Sequence, residues 1–237
     1  MTRSLFNLGS IVERIVDLLL PGRCAFCALP SASRCCDNCA ALLPKNEICC
    51  HRCANPLALK FEGVCADCQQ QTPYYSATIA PLIYEFPVDT ALKAMKDRRQ
   101  LFYVPLFSDI LLRALRDRSL PIDVIVPVPL HRIRHATRGF NQAEELAGNV
   151  ARRCGLPIFT GVKRKRSTRS QRGLSAVERR QNLRGAFAVT KRLRFRRPLI
   201  IDDVMTTGQT CNELAGSLLA SGAVEVYVLV VARARVG

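Results

Sequence analysis

Two groups of residues in this chain have the types and spacing to do chemistry. The first is a set of four CxxC pairs: Cys24/Cys27, Cys36/Cys39, Cys50/Cys53 and Cys65/Cys68. Two residues between the cysteines let both sulfurs of a pair point at one centre, which suits tetrahedral Zn²⁺ held by four thiolates. Eight ligands fill two sites, most simply by pairing the first knuckle with the second and the third with the fourth. Four cysteines leave zinc no open position, so both sites are read as structural. Cys35 and Cys49 stand directly beside ligands, as spares or as replacements for a neighbour. A disulfide framework and an iron–sulfur centre use similar spacings. Against a secreted disulfide protein, Glu13, Arg14 and Asp17 interrupt the apolar run from Ile11 to Leu20, which does not read as a signal peptide. That run is also too short to span a bilayer, so the expectation is a cytoplasmic, non-transmembrane protein with two structural zinc ions.

The second group is Leu199-Ile200-Ile201-Asp202-Asp203-Val204-Met205-Thr206-Thr207-Gly208-Gln209-Thr210. It reads as a buried strand ending in two adjacent carboxylates, followed by a hydroxyl-rich turn that opens a helix. Such a turn offers free backbone N–H groups and the positive end of a helix dipole, an arrangement that binds phosphate. Gly208 permits close backbone approach, and Thr206, Thr207 and Thr210 add hydroxyl donors. Carboxylates at the rim suit vicinal hydroxyls, as on a ribose; the plainer alternative is that Asp202 and Asp203 only cap the helix and hold a turn. The Gly-Lys-Ser/Thr element of a Walker loop is missing.

This segment resembles the phosphoribosyl pyrophosphate (PRPP) motif of type I phosphoribosyltransferases. Upstream, Val126-Pro127-Val128-Pro129-Leu130-His131-Arg132 and Arg138-Gly139-Phe140-Asn141-Gln142-Ala143 resemble a signature of the ComF family, the competence-associated branch of that fold, whose members also carry N-terminal cysteine knuckles. The resemblance implies that Asp202 and Asp203 hold the ribose hydroxyls and that Thr206, Thr207, Gly208, Gln209 and Thr210 cradle the 5′-phosphate. It implies a pyrophosphate loop at Pro129 and Leu130, with Arg132 nearby and Arg138 heading the signature. Arg166, Thr168, Gln171 and Arg179 fall where the fold keeps a flexible loop over its active site. Gln209 departs from the pattern, standing where many salvage enzymes have a second glycine. Mg²⁺ is implied with PRPP, because it screens the pyrophosphate charge.

The charge balance bears on partners. Lys and Arg total 35 against 19 Asp and Glu in 237 residues, a formal +16. That excess points to polyanions: nucleic acid, phosphorylated ligands or an anionic membrane surface. Arg164, Lys165, Arg166, Arg169 and Arg172 form one cluster, and Lys191, Arg192, Arg194, Arg196 and Arg197 another. Both could simply face solvent; the first has the better claim to close over a pyrophosphate or to track single-stranded DNA. Trp is absent and aromatics are 6%, which excludes a stacking platform rich in aromatic rings. At 49% hydrophobic residues, disorder and collagen are excluded as well.

Two function classes follow from the resemblance. One is a PRPP-binding protein in natural transformation, bringing single-stranded DNA into the cytoplasm beside a helicase or pore at the inner membrane. The other is a phosphoribosyltransferase of nucleotide or amine metabolism with no DNA role. The acceptor substrate is not legible.

The elements that must position these groups follow from periodicity. Residues 10–20 have helical spacing with Ser10 as N-cap and Pro21–Gly22 as stop. The expected domains are an N-terminal helix (1–22), a double zinc ribbon (23–72) and a phosphoribosyltransferase-like domain (73–237). In the last, extended runs at 77–86, 123–129, 185–189, 198–201 and 224–232 alternate with helical patterns at 88–98, 104–117, 141–153 and 208–220. Near-continuous apolar strands between helices imply a parallel sheet covered on both faces, with ligands at the strands' carboxyl ends. His131 and His135 stand four apart without carboxylate partners and read as surface residues, and Cys211 reads as packing.

Overall fold

A computed structural model of the chain describes residues 22–58, 63–130, 139–165 and 185–235. The helix expected at 10–20 and the loop containing Arg166, Thr168, Gln171 and Arg179 lie outside these residues, as do Arg132, Arg138, His131 and His135. The chain divides into two compact units, Met1–Leu43 and Pro44–Gly237. In the first, an antiparallel bridge from Arg23 to Pro30 and the short helix α1 (Asp37–Ala41) carry the first two knuckles.

The second unit holds the other ribbon and the sheet. The ribbon has a bridge between Cys49 and Pro56 and ends in helix α2 (Ala66–Gln70). Then come strands β1 (Ala77–Ile79) and β2 (Leu82–Ile83), where one extended run was expected. Pro81 lies between them, and a residue without an N–H interrupts a ladder. Helices α3 (Val88–Asp97) and α4 (Tyr103–Arg116) lead to β3 (Val124–Pro127). Helix α5 (Gln142–Cys154) follows, capped by Asn141, whose carboxamide oxygen accepts from Ala143 N at 3.1 Å. An antiparallel hairpin of β4 (Val162–Arg164) and β5 (Phe187–Val189) stands apart from the main sheet. The chain closes with β6 (Pro198–Met205), helix α6 (Gln209–Leu219) and β7 (Tyr227–Arg233).

The main sheet is parallel, in the order β1-β7-β6-β3, with β2 also paired to β7. It is flanked by helices and preceded by the zinc ribbons, the architecture expected from the sequence. Every residue of β3 and β7 is buried, as strands covered on both faces must be. Helices α4 and α5 pack on each other and on the sheet. A hydrophobic cluster joins Val126, Ile200, Val228 and Val230 of the sheet to Leu214 and Leu218 of α6, and to the cysteines of the second ribbon. That ribbon and the sheet therefore share a core. Buried Asn46 adds polar ties, donating to Ala54 O at 2.9 Å and Ala80 O at 3.1 Å.

Among the described residues no helix is long and apolar enough to cross a membrane.

Candidate functional site

The two sets of cysteine ligands form as sequential pairing requires. The sulfurs of Cys24, Cys27, Cys36 and Cys39 lie within 4.8 Å of one another, and so do those of Cys50, Cys53, Cys65 and Cys68. Both sets fit structural zinc: four sulfurs, no other donor among the described residues, and backbone N–H groups turned toward them. Cys36 N donates to Cys24 Sγ at 3.4 Å, and Cys65 N to Cys50 Sγ at 3.3 Å. Burial works against both thiolates, but N–H bonds overcome it and draw Cys24 down to about 6 and Cys50 to about 7. Thiolate character is what a metal ligand needs. Cys35 and Cys49 stay outside both sets. Burial and then the Cys24 charge push Cys35 up to about 11, and burial raises Cys49, so both are neutral thiols.

The acid pair sits elsewhere in its strand than expected. β6 does not stop at Ile201 but continues to Met205, so Asp202 and Asp203 lie within it. The physical reason is β7, which runs on beside it and offers Val230, Ala232 and Arg233 as partners to Asp202, Val204 and Met205. β3 ends earlier, at Pro127 opposite Ile201, with one further bond from Val128 N to Ile201 O. Beyond that point, among the described residues, β6 is paired on one side only. The opening lies at the strands' carboxyl ends, where open parallel sheets bind ligands.

Within this opening the two carboxylates differ. Asp203 is 6% exposed, and its Oδ2 lies 2.6 Å from the Lys96 ammonium of α3. Its Oδ1 accepts from Val204 N at 2.8 Å. Asp202 keeps part of its surface in water, and its Oδ1 accepts from Asp203 N at 2.9 Å. Burial, and then the neighbouring Asp203 charge, push its pKa up to about 8. Burial acts against the Lys96 charge, yet the two aspartates outweigh it and hold the ammonium above its ordinary range. The arrangement is one ion pair plus one carboxyl group that takes up or releases a proton near neutral pH.

The turn after β6 carries the residues that the resemblance assigns to the 5′-phosphate. Thr206 and Thr207 are exposed, Thr210 is half-buried, and Gly208 is the N-cap of α6 in the left-handed region at φ 75°. A Cβ at Gly208 would lie 3.0 Å from the Tyr75 hydroxyl, so both conformation and space demand glycine. Among the described residues, one side chain accepts from this turn's amides: Thr207 Oγ1, 3.4 Å from Gln209 N. The other first-turn N–H groups have no intrahelical partner to take, which leaves them for an anion. The Gln209 side chain runs along the helix and donates to Glu213 at 3.1 Å. It does not fill the turn.

The end of β3 is fixed by the residues of the upstream signature. Asn141 donates to Val128 O at 3.0 Å while capping α5. Pro129 and Leu130 follow, half-buried. Gly139 has φ 72°, and the Arg99 guanidinium lies 5.7 Å from the centre of the Phe140 ring. Cys211 is 2% exposed and burial raises its thiol well above the ordinary value, so it packs and does not react.

Sequence reasoning missed Lys96, Tyr75 and Arg233. Lys96 had a signal: it lies four and eight residues after Leu92 and Val88, on the buried side of α3. A lysine on an apolar helical stripe needs a carboxylate partner. Arg233 had a weaker one, a cation ending an all-apolar strand.

A double zinc ribbon domain matches residues 15–73. The chain is 34% identical to competence protein F of Haemophilus influenzae over 209 residues, covering 84% of this chain and 90% of that one. It is 33% identical to DNA utilization protein YhgH of Escherichia coli K12 over 220 residues, 89% of this chain and 96% of the relative. A glutamine PRPP amidotransferase of B. subtilis, solved with ADP and GMP, is similar at TM-score 0.36 and 20% identity over 52% of this chain and 25% of that one.

Proposed function

The chain belongs to the ComF (competence protein F) family, and from that premise we propose that it binds PRPP or a related ribose phosphate with Mg²⁺ while serving DNA uptake or utilization. The observation that carries the ligand half is the turn between β6 and α6, with Thr206 and Thr207 exposed and Gly208 in the left-handed region at the start of the helix. The 5′-phosphate sits on the N–H groups and hydroxyls of Thr206, Thr207, Gly208, Gln209 and Thr210. The ribose hydroxyls donate to Asp202, which accepts best when ionised. Asp203 stays with Lys96 and sets the charge beside the diol. The half-buried Pro129 and Leu130 border the pyrophosphate, and Mg²⁺ screens its charge.

The nucleic-acid half rests on charge. Lys191, Arg192, Arg194, Arg196 and Arg197 are all exposed in the segment between β5 and β6. The backbone there is held by Asp123, which accepts from Arg196 N at 2.7 Å and Arg197 N at 3.0 Å. A pinned backbone with side chains in water suits a phosphate track. The protein works in the cytoplasm at the inner membrane, passing single-stranded DNA between a pore or helicase and later steps.

Thermal melts with PRPP and Mg²⁺ test the ligand half. PRPP should raise the wild-type midpoint and leave Asp202→Asn unmoved. No shift in the wild type, or an equal shift in the variant, sinks it. For the DNA half, titration with single-stranded DNA should give a log–log salt slope near −3.5, from about five phosphates neutralised. A flat slope removes the DNA role, and release of pyrophosphate with an amine or base as acceptor would then favour a metabolic transferase.

A further inference from the structure

Arg233 is 3% exposed at the end of β7 and has no carboxylate partner among the described residues. Its guanidinium is spent on backbone carbonyls from separate segments. Nε donates to Cys53 O at 2.9 Å. Nη1 donates to Met205 O at 3.2 Å, to Ala234 O at 2.7 Å and to Thr206 O. Cys53 is a ligand of the second tetrathiolate set, and Thr206 is the first residue of the phosphate turn. One side chain therefore bridges the second metal centre and the turn.

A buried guanidinium facing only carbonyl dipoles is costly. The balancing charge is at hand: zinc with four thiolates carries a net charge of about −2, and one of those thiolates belongs to the residue whose carbonyl Arg233 holds. Loaded with metal, that centre would set this charge behind the carbonyl that Arg233 holds.

Tyr75 makes a second link. It is 4% exposed, its hydroxyl lies 3.0 Å from where a Cβ at Gly208 would stand, and it packs in the cluster that holds Cys50, Cys53, Cys65 and Cys68. The turn is backed from beneath by two residues seated on the second ribbon.

We propose that Arg233, with Tyr75, couples the second zinc centre to the phosphate turn, so that the sugar-phosphate site is ordered only while that centre holds its metal. Arg233 is thus a positioning residue, and the ribbon is part of the ligand site's scaffold. The inference rests on the reading given above for its ligand, but the coupling itself is measurable without one.

The deciding variant is Arg233→Lys in the zinc-loaded full chain. Lysine keeps the charge but cannot span Cys53 O and Thr206 O together. Metal content is measured by mass spectrometry, and hydrogen–deuterium exchange is followed in peptides covering residues 205–211 and, as an internal control, β3. The expected result is unchanged zinc, unchanged protection of β3, exchange in 205–211 about tenfold faster, and PRPP binding about tenfold weaker, the scale of one charge-assisted hydrogen bond. The paired variant Cys65→Ser/Cys68→Ser should lose one zinc and show the same loosening of 205–211. If it unfolds the sheet altogether, chelator titration of the wild type decides: 205–211 must loosen in step with loss of the second zinc, and a turn that keeps its protection through that loss overturns the coupling. Exchange in 205–211 within twofold of wild type in a folded, zinc-replete Arg233→Lys protein overturns the coupling. A wild-type chain that ignores PRPP refutes the ligand reading alone, because the exchange comparison still decides the coupling.

Discussion

The ion pair between Lys96 and Asp203 makes a quantitative demand. The Lys96 side chain is 25% exposed and that of Asp203 8%, with 2.6 Å between charged atoms. Removing one partner of a buried pair strands the other, at a cost of about 3–5 kcal/mol. Because Lys96 reaches some water, the lower end applies: Lys96→Met should cost about 3 kcal/mol, or roughly 6–12 °C in midpoint for a unit of this size. Asp203→Asn should cost less, about 1 kcal/mol, since the Lys96 side chain already reaches water and its ammonium can turn outward. The double variant leaves no stranded charge, so it should be less destabilised than the sum, with a coupling of about 2 kcal/mol. Urea unfolding in zinc-containing buffer, followed by circular dichroism, measures all four corners at equal m-value. A coupling under about 0.5 kcal/mol, or an Asp203→Asn protein less stable than Lys96→Met, would refute the claim that this pair is locked in the interior.

Three further outcomes are expected. Asp202 holds its proton up to about pH 8 in the folded chain and only to about pH 4 when unfolded, so the fold binds the extra proton between those values. Its stabilising contribution is complete below pH 4 and lost as pH rises through 8; melts at pH 5.5 and 8 should show this decline in the wild type and a shallower one in Asp202→Asn, while PRPP affinity should rise over the same window. Gly208→Ala should cost about 2 kcal/mol, from left-handed backbone at φ 75° and the Tyr75 hydroxyl at 3.0 Å; Tyr75→Phe in that background should recover part of the loss, and wild-type stability of the single variant would contradict the crowding argument. A chelator should remove zinc in two phases, because Cys27 of the first set is exposed whereas every sulfur of the second set belongs to a buried residue. Absorbance of a zinc–chelator dye should show the phases, with helical signal falling only in the slow one; a single phase would mean that burial does not govern release.

How far the sequence went can be seen residue by residue. The CxxC spacing determined both ligand sets, because four short-range pairs admit few ways to close two tetrahedra, and the sulfurs gather as sequential pairing requires. The strand and helix periods placed α3 to α6 within a residue or two, since amphipathic helices on a buried sheet leave the pattern no other face to present. What local pattern could not reach was anything set by a distant strand. The length of β6 is decided by β7, which continues to Arg233 and carries the acid pair inside the ladder. The inequality of Asp202 and Asp203 is decided by Lys96, more than a hundred positions away and bound only after α3 docks. The role of Arg233 depends on a carbonyl of the second ribbon, 180 residues distant. Motifs report which atoms can do chemistry; the charge state of those atoms is set by long-range burial. Here that burial sets Asp202 to exchange its proton near pH 8, beside an Asp203 already paired with Lys96.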